Sequence, residues 1–280
     1  MRKKFMSKRS KSAVITSLFL GFTLMLGGCG GDAYSTYASA YNKVSAKGGI
    51  NADIEATITL DDVEQEYEGN FKLDNTSNTL YYEMTCNGET TTQFSDGEYL
   101  YTERGGEKIK YDLNDKPDGE PQARDNAQGG EAPQFDAAEF LTEFSSFLEA
   151  GKIRELGLLN PLDKAAVTNV TVSGNQYTLE VSSTILKRFM NTMATNESGS
   201  GDAIEVTDLS NFTYVATIEN GVVTGTHYSG EITIVVPGSL LASDDDEEYT
   251  IEFDIQITFR KPGTEVDVDI PDGDDYVLAQ

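Results

Sequence analysis

Polar and apolar positions alternate through most of this chain, and the places where the period changes mark its elements. Residues 33–47 carry Tyr34, Tyr37, Ala38, Tyr41 and Val44 at helical spacing, with Gly48 placed to end the helix. After that the period is two. Ile54, Ala56, Ile58 and Leu60 alternate with polar residues, then Tyr67, Phe71 and Leu73, then Leu80, Tyr82, Met84 and Cys86. Tyr99 and Tyr101 follow, then Ile109, Tyr111 and Leu113. The separators Asp61-Asp62, 75–78, Asn87-Gly88, Asp96-Gly97 and Gly105-Gly106 are turn formers. This predicts an antiparallel meander with one apolar face.

The alternation stops at 114–134, a stretch with three prolines, several glycines and almost no large apolar residue. It reads as a long loop or linker, either plainly disordered or serving as a boundary or a flap over a cavity. Helical spacing returns at 136–150, where Phe140, Leu141, Phe144, Phe147 and Leu148 form one broad stripe that needs a large apolar partner surface. The second half repeats the logic without a sequence repeat. Val167, Val170 and Val172 lead through Ser173-Gly174-Asn175 to Tyr177, Leu179 and Val181. A helix is expected near 183–194, with Ile185, Leu186, Phe189, Met190 and Met193, and a loop at 195–203. Phe212, Tyr214, Ala216 and Ile218 alternate up to Asn220-Gly221, a hairpin signal, and the return strand runs from Val222 towards Val236. The longest alternation is Tyr249, Ile251, Phe253, Ile255, Ile257, Phe259, and a final strand is expected near 264–270.

The predicted class is α+β: a large, curved, half-barrel-like antiparallel sheet packed on a few helices. Its inner face would carry Ile54, Ile58, Phe71, Tyr82, Ile251, Phe253 and Ile255, and Phe140, Phe144, Phe147 and Phe189 would come from the helices. These residues either face an apolar ligand or fill a core.

The N-terminus has a different design. Residues 1–11 hold six bases and no acid, and residues 13–26 are almost wholly apolar. Fourteen residues make a helix of roughly 21 Å, short of the ~30 Å hydrocarbon core, so a cleaved signal is favoured over a permanent span. The stretch Leu26-Gly27-Gly28-Cys29 resembles the lipobox of bacterial lipoprotein precursors. That resemblance implies cleavage between Gly28 and Cys29 and a covalent diacylglycerol on the Cys29 thiol. Residues 1–28 would then be the signal peptide, 29–32 the anchor and tether, and 33–280 a single domain. The expected location is the extracytoplasmic face of a cell membrane. Gly30 is not the Asp that retains some lipoproteins at an inner membrane.

Removal of the leader changes the charge. The chain has 21 Lys+Arg and 47 Asp+Glu; without the six leader bases the balance is 15 − 47 = −32. Such a surface repels nucleic acid and anionic lipid. With Cys29 consumed by lipid, Cys86 has no partner for an intrachain disulfide and reads as a buried structural thiol. His227 is the only histidine, in a polar strand end, and reads as hydrogen-bonded rather than catalytic. No metal site is expected, since a transition metal would have to rely on carboxylates and Cys86. The acidic runs 244–248 and 272–275 lack the spacing of a calcium loop and read as solvated turns. No serine nucleophile motif is present, and carboxylate pairs suited to glycoside hydrolysis have no aromatic flank to support them.

Lipobox, short helix, long meander, mid-chain helices and second meander, in that order, resemble the LolA/LppX-like lipoproteins. A Pro271-Asp272-Gly273 ending is similar to that of lipoproteins of Gram-positive bacteria. The resemblance spans about 33–276 and implies a half-barrel around an apolar cavity, and hence a non-enzymatic carrier or sensor of lipid. It carries no site residue across. Beside it stand an envelope protein that binds another protein through its acidic surface, and a hydrolase with an unrecognised site.

Overall fold

The computed structural model describes residues 32–60, 63–113, 161–188, 191, 205–238 and 245–279. Gly28 and Cys29, the loop 114–134, the helix 136–150 with Phe140, Phe144 and Phe147, and Phe189 lie outside them. Helix α1 spans Ala33–Asn42. Then come β1 (Gly49–Leu60), β2 (Val63–Asp74), β3 (Thr79–Cys86), β4 (Glu89–Ser95), β5 (Tyr99–Arg104) and β6 (Glu107–Asp112). The second meander holds β7 (Val167–Ser173), β8 (Gln176–Val181), β9 (Glu205–Glu219), β10 (Val222–Val236) and β11 (Glu247–Phe259), and β12 (Val277–Leu278) closes the chain. Residues 183–188 are helical.

All twelve strands join one sheet in the order β12-β6-β5-β4-β3-β2-β1-β11-β10-β9-β8-β7. Every pairing is antiparallel except β12 on β6. The expected large open antiparallel sheet with few helices is what the chain builds. Its two meanders meet at β1 and β11, the first strand of one and the last long strand of the other, in a register that sets Ile54 opposite Ile257 and Ile58 opposite Phe253. Tight turns fix that register elsewhere. Asn87-Gly88 and Asn220-Gly221 both have positive φ at each residue, the two-residue hairpin geometry that these dipeptides favour. β10 shows three register shifts against β9, and at one of them Asn211 (φ 53) and Phe212 fall against the single residue Gly230. Such bulges increase local twist and bend a strand.

Helix α1 lies on the inner face. Asp32 caps it by accepting the Tyr34 amide at 3.1 Å. Tyr37 and Tyr41 are buried, with Tyr37 edge-on to Tyr214 (5.8 Å) and Tyr41 edge-on to Phe259 (5.8 Å). The Leu162 amide donates to the Tyr37 hydroxyl at 3.1 Å, and the Tyr37 and Tyr214 hydroxyls bond at 2.8 Å. Burial pushes the Tyr37, Tyr41, Tyr214 and Tyr228 hydroxyls up, so all four stay neutral in the core.

Three expectations need correction. The segment near 264–270 is not a strand. Its alternating Val266 and Val268 report one-sided packing, not a ladder: Val268 is buried, and Val266 lies so close to Gly49 that a Cβ there would stand 2.6 Å from the valine Cβ. The chain continues as a strap to the far edge. There Lys110 Nζ donates to the Gly273 carbonyl (2.8 Å), Tyr276 packs on Tyr101 (5.1 Å) and bonds Glu103, and β12 adds to β6. Second, Tyr99 and Tyr101 do not share the inner face. Gln93, not Phe94, lies opposite Tyr82, so Phe94 and Tyr101 face outward with Tyr81, and the strap gives Tyr101 its cover. Strand β4 itself went unread, because Glu89–Ser95 holds a single large apolar residue. Third, His227 lies well inside β10 rather than at a strand end.

Candidate functional site on the inner face of the sheet

The register carries seven of the expected inner-face residues to one side of four adjoining strands. Ile54 and Ile58 on β1, Phe71 on β2 and Tyr82 on β3 are joined by the pairs Ala52–Phe71 and Phe71–Tyr82, and β11 adds Ile251, Phe253 and Ile255. Ile54, Ile58, Phe71, Tyr82 and Ile251 are buried. Phe253 and Ile255 are not: they are partly exposed, although Tyr249 and Ile251 before them and Ile257 and Phe259 after them are buried. The most exposed part of this apolar row is therefore its middle, on a central strand.

The neighbours of that stretch explain the shape of the floor. Ile255 lies between Ala56 and Tyr228, and Phe253 between Ile58 and Gly230. Small residues on opposite sides lower the surface there. Close approach makes Gly230 a tight position, since a Cβ would meet the tip of the Phe253 ring at 3.0 Å and the Phe212 Cα at 3.1 Å. Phe212, itself partly exposed, brings its ring 6.3 Å from that of Phe253. Gly230 is the residue that sequence reasoning missed; a lone glycine inside a long strand pattern was its signal.

Polar groups interrupt the apolar face along β2 to β4. Gln65 is buried and its Oε1 accepts from the Tyr67 hydroxyl (2.7 Å) and the Cys86 thiol (3.6 Å). Burial pushes both the Tyr67 hydroxyl and the Cys86 thiol up, which keeps the thiol protonated and poorly nucleophilic. Gln93 is buried one strand beyond Tyr82. The inner face thus grades from wholly apolar at β11 and β1 to mixed at β4.

The outer face of the same strands is acidic. Glu55 stands directly opposite Glu68, and Glu231 directly opposite Glu252. His227 bonds Asp254 at 2.9 Å in the open. A shallow polar hollow of about 610 Å³, lined by residues such as Thr178, Val215, His227 and Thr258, lies on this side. Among the described residues no three His, Cys, Asp or Glu side chains are grouped to hold a metal ion.

No protein-family model matches this chain, and no curated protein matches it in sequence. Among solved structures, the chain is similar to the crystal structure of the Mycobacterium tuberculosis lipoprotein LppX. The alignment covers 85% of this chain and 98% of that one, at 10% identity and a TM-score of 0.34.

Proposed function

We propose that the protein is an extracytoplasmic lipoprotein, held by a diacylglycerol on Cys29, that takes up a lipid or another apolar molecule on the inner face of its sheet. One observation carries the reading: Phe253 and Ile255, at the centre of a continuous apolar face, keep exposed surface while their strand neighbours are buried. Apolar surface left open in the middle of a core face gains free energy when a ligand covers it, at about 25 cal/mol per Å². The Cys29 anchor rests on the lipobox resemblance of Leu26-Gly27-Gly28-Cys29. Two acyl chains would make it a stable attachment, which one chain does not.

Native mass spectrometry of residues 30–280, purified from a lipid-supplying host and followed by organic extraction, tests the uptake. Discrete added masses that extract as lipid are expected. Replacement of Ile255 by Trp, which occupies the same space, should reduce them. A clean mass that stays clean when lipids are offered overturns ligand uptake. The second reading, a partner protein bound by the acidic outer face, is favoured by the facing pairs Glu55–Glu68 and Glu231–Glu252, and predicts binding that weakens with salt.

A further inference from the structure

The mature chain has almost no slack between its anchor and its fold. Only Gly30, Gly31 and Asp32 separate Cys29 from Ala33, where α1 begins. The four Cα steps from Cys29 to Ala33 reach at most roughly 14 Å. Nor does α1 swing. Tyr37 and Tyr41 are fully enclosed, and the Gly263 amide holds the Val44 carbonyl at 2.8 Å just beyond its end. Its first turn is fixed as well: Tyr34 donates to the Leu162 carbonyl (2.8 Å), and Lys164 bonds the Asp32 carboxylate (3.2 Å).

We infer that this short, fixed attachment docks the molecule on its own bilayer through the inner side of the sheet at its β7–β8 end, with the acidic outer face turned away. The inference rests on the proposed lipidation of Cys29. A lipid surface is the occupant because the anchor leaves the fold there. Lys164 leads to Ala166, whose carbonyl accepts the Ser182 amide at 2.8 Å, and the chain then enters the helical residues 183–188. That stretch exposes Ile185 (42%) and Arg188, and its other cation, Lys187, is half-buried with its ammonium on the Thr207 carbonyl at 2.6 Å. An apolar side chain beside a cation suits the boundary between headgroups and acyl chains. The acid nearest it in the chain is Glu180, which lies on the outer face of β8 and accepts from the Asn169 side-chain amide at 3.0 Å, and Asp32 is already paired with Lys164. The opposite side presents Glu55, Glu66, Glu68, Glu252 and Asp254. Held within roughly a Debye length of ~8 Å of anionic lipid, the acidic body is least repelled with that face outward. The same orientation brings the inner apolar face, on which α1 lies, to the bilayer side.

The test uses the lipidated chain in vesicles of phosphatidylethanolamine and phosphatidylglycerol that carry a nitroxide quencher on the headgroup. A fluorophore is placed on Ile185→Cys or on Glu66→Cys, each in a Cys86→Ala background. Glu66 lies on β2, six strand steps or about 29 Å along the sheet from β7. Strong loss of fluorescence is expected at position 185 and little at 66. Ten Gly/Ser residues inserted after Gly31 extend the reach to about 20 Å and should abolish the difference. Equal quenching at the two positions, or stronger quenching at 66, overturns the orientation. A difference that survives the longer tether overturns the anchor as its cause. Intact mass separates the two readings: without diacylglycerol on Cys29 the anchoring fails and the docking with it, whereas diacylglycerol present with equal quenching defeats the docking alone.

Discussion

The two faces of β11 are made from alternate residues of one thirteen-residue strand, and they follow different rules. Its inner side, from Tyr249 to Phe259, is buried except at Phe253 and Ile255; its outer side, from Glu248 to Thr258, is mostly exposed and is held by the ladder and the His227–Asp254 bond. On the inner side a substitution is felt through volume and enclosure. On the outer side it is felt through charge, against neighbours set at fixed cross-strand positions. The sheet therefore tolerates like charges facing each other outside while admitting few polar groups inside, and each of those few has a defined place.

The largest test of that contrast is on β2. Phe71 is fully enclosed (0% exposed), with Ala52 and Tyr82 as its lateral neighbours. Phe71→Ala should cost about 3–5 kcal/mol in urea unfolding of residues 30–280, the transfer term plus the cavity it leaves. Glu68→Ala, three residues earlier on the opposite face, should change stability by no more than about 0.5 kcal/mol. Comparable losses at the two positions would mean that the outer face is covered too.

A finer test separates floor from core within the inner face. Ile257 is enclosed, whereas Ile255 retains exposure. Ile257→Ala should cost about 2–5 kcal/mol, and Ile255→Ala about half of that, because less surface and less cavity are at stake. Bound lipid should widen the deficit of Ile255→Ala alone. Equal costs in lipid-free protein would show a filled core over the centre of β11 and remove the observation on which ligand uptake rests.

What the sequence disclosed follows from this division. Period-two alternation marks burial on one side, and Ile54, Ile58, Phe71, Tyr82 and Ile251 are buried on the side it implies; the start of α1 and the Asn-Gly hairpins were legible in the same way. It does not say what does the burying. Val266 and Val268 alternate like a strand yet lie in a strap without a ladder, and Tyr99 and Tyr101 alternate like inner residues yet face out beneath that strap. The opening at Phe253 and Ile255 was equally hidden, since it depends on Ala56 and Gly230 arriving from two other strands. Local pattern gives faces; pairing order gives shape.

The strap also responds to acid. The hydroxyl of Tyr276 holds the Glu103 carboxyl below its ordinary value of 4.5; burial opposes this and Lys108 assists it. A carboxylate depressed in the folded state stabilises that state fully above its ordinary value and loses the contribution as pH falls through the depressed one. Docking of β12 should therefore weaken below about pH 4.5 and be indifferent to pH between 5 and 8. The exchange rate of the Ala279 amide, bonded to the Lys110 carbonyl at 2.9 Å, reports it once corrected for intrinsic pH dependence. Glu103→Gln should flatten the profile; an unchanged acid limb would assign the response to other carboxylates, such as Asp96.

The smallest expected effect belongs to the outer face alone. Glu55 and Glu68 lie directly across the β1–β2 ladder, and Gln256 rather than a base flanks Glu55 on its other side. Like charges so placed oppose pairing, and an opposite pair would contribute roughly 0.2–1 kcal/mol. Glu55→Lys should therefore raise stability by an amount in that range and reduce the gain that wild-type protein shows on adding salt, because screening relieves a repulsion that the variant no longer has. Glu55→Gln should fall between the two. If Glu55→Lys instead destabilises, the acidic face is held by counterions or by a structure that needs the charge, and the two sides of the sheet are less independent than their alternating residues imply.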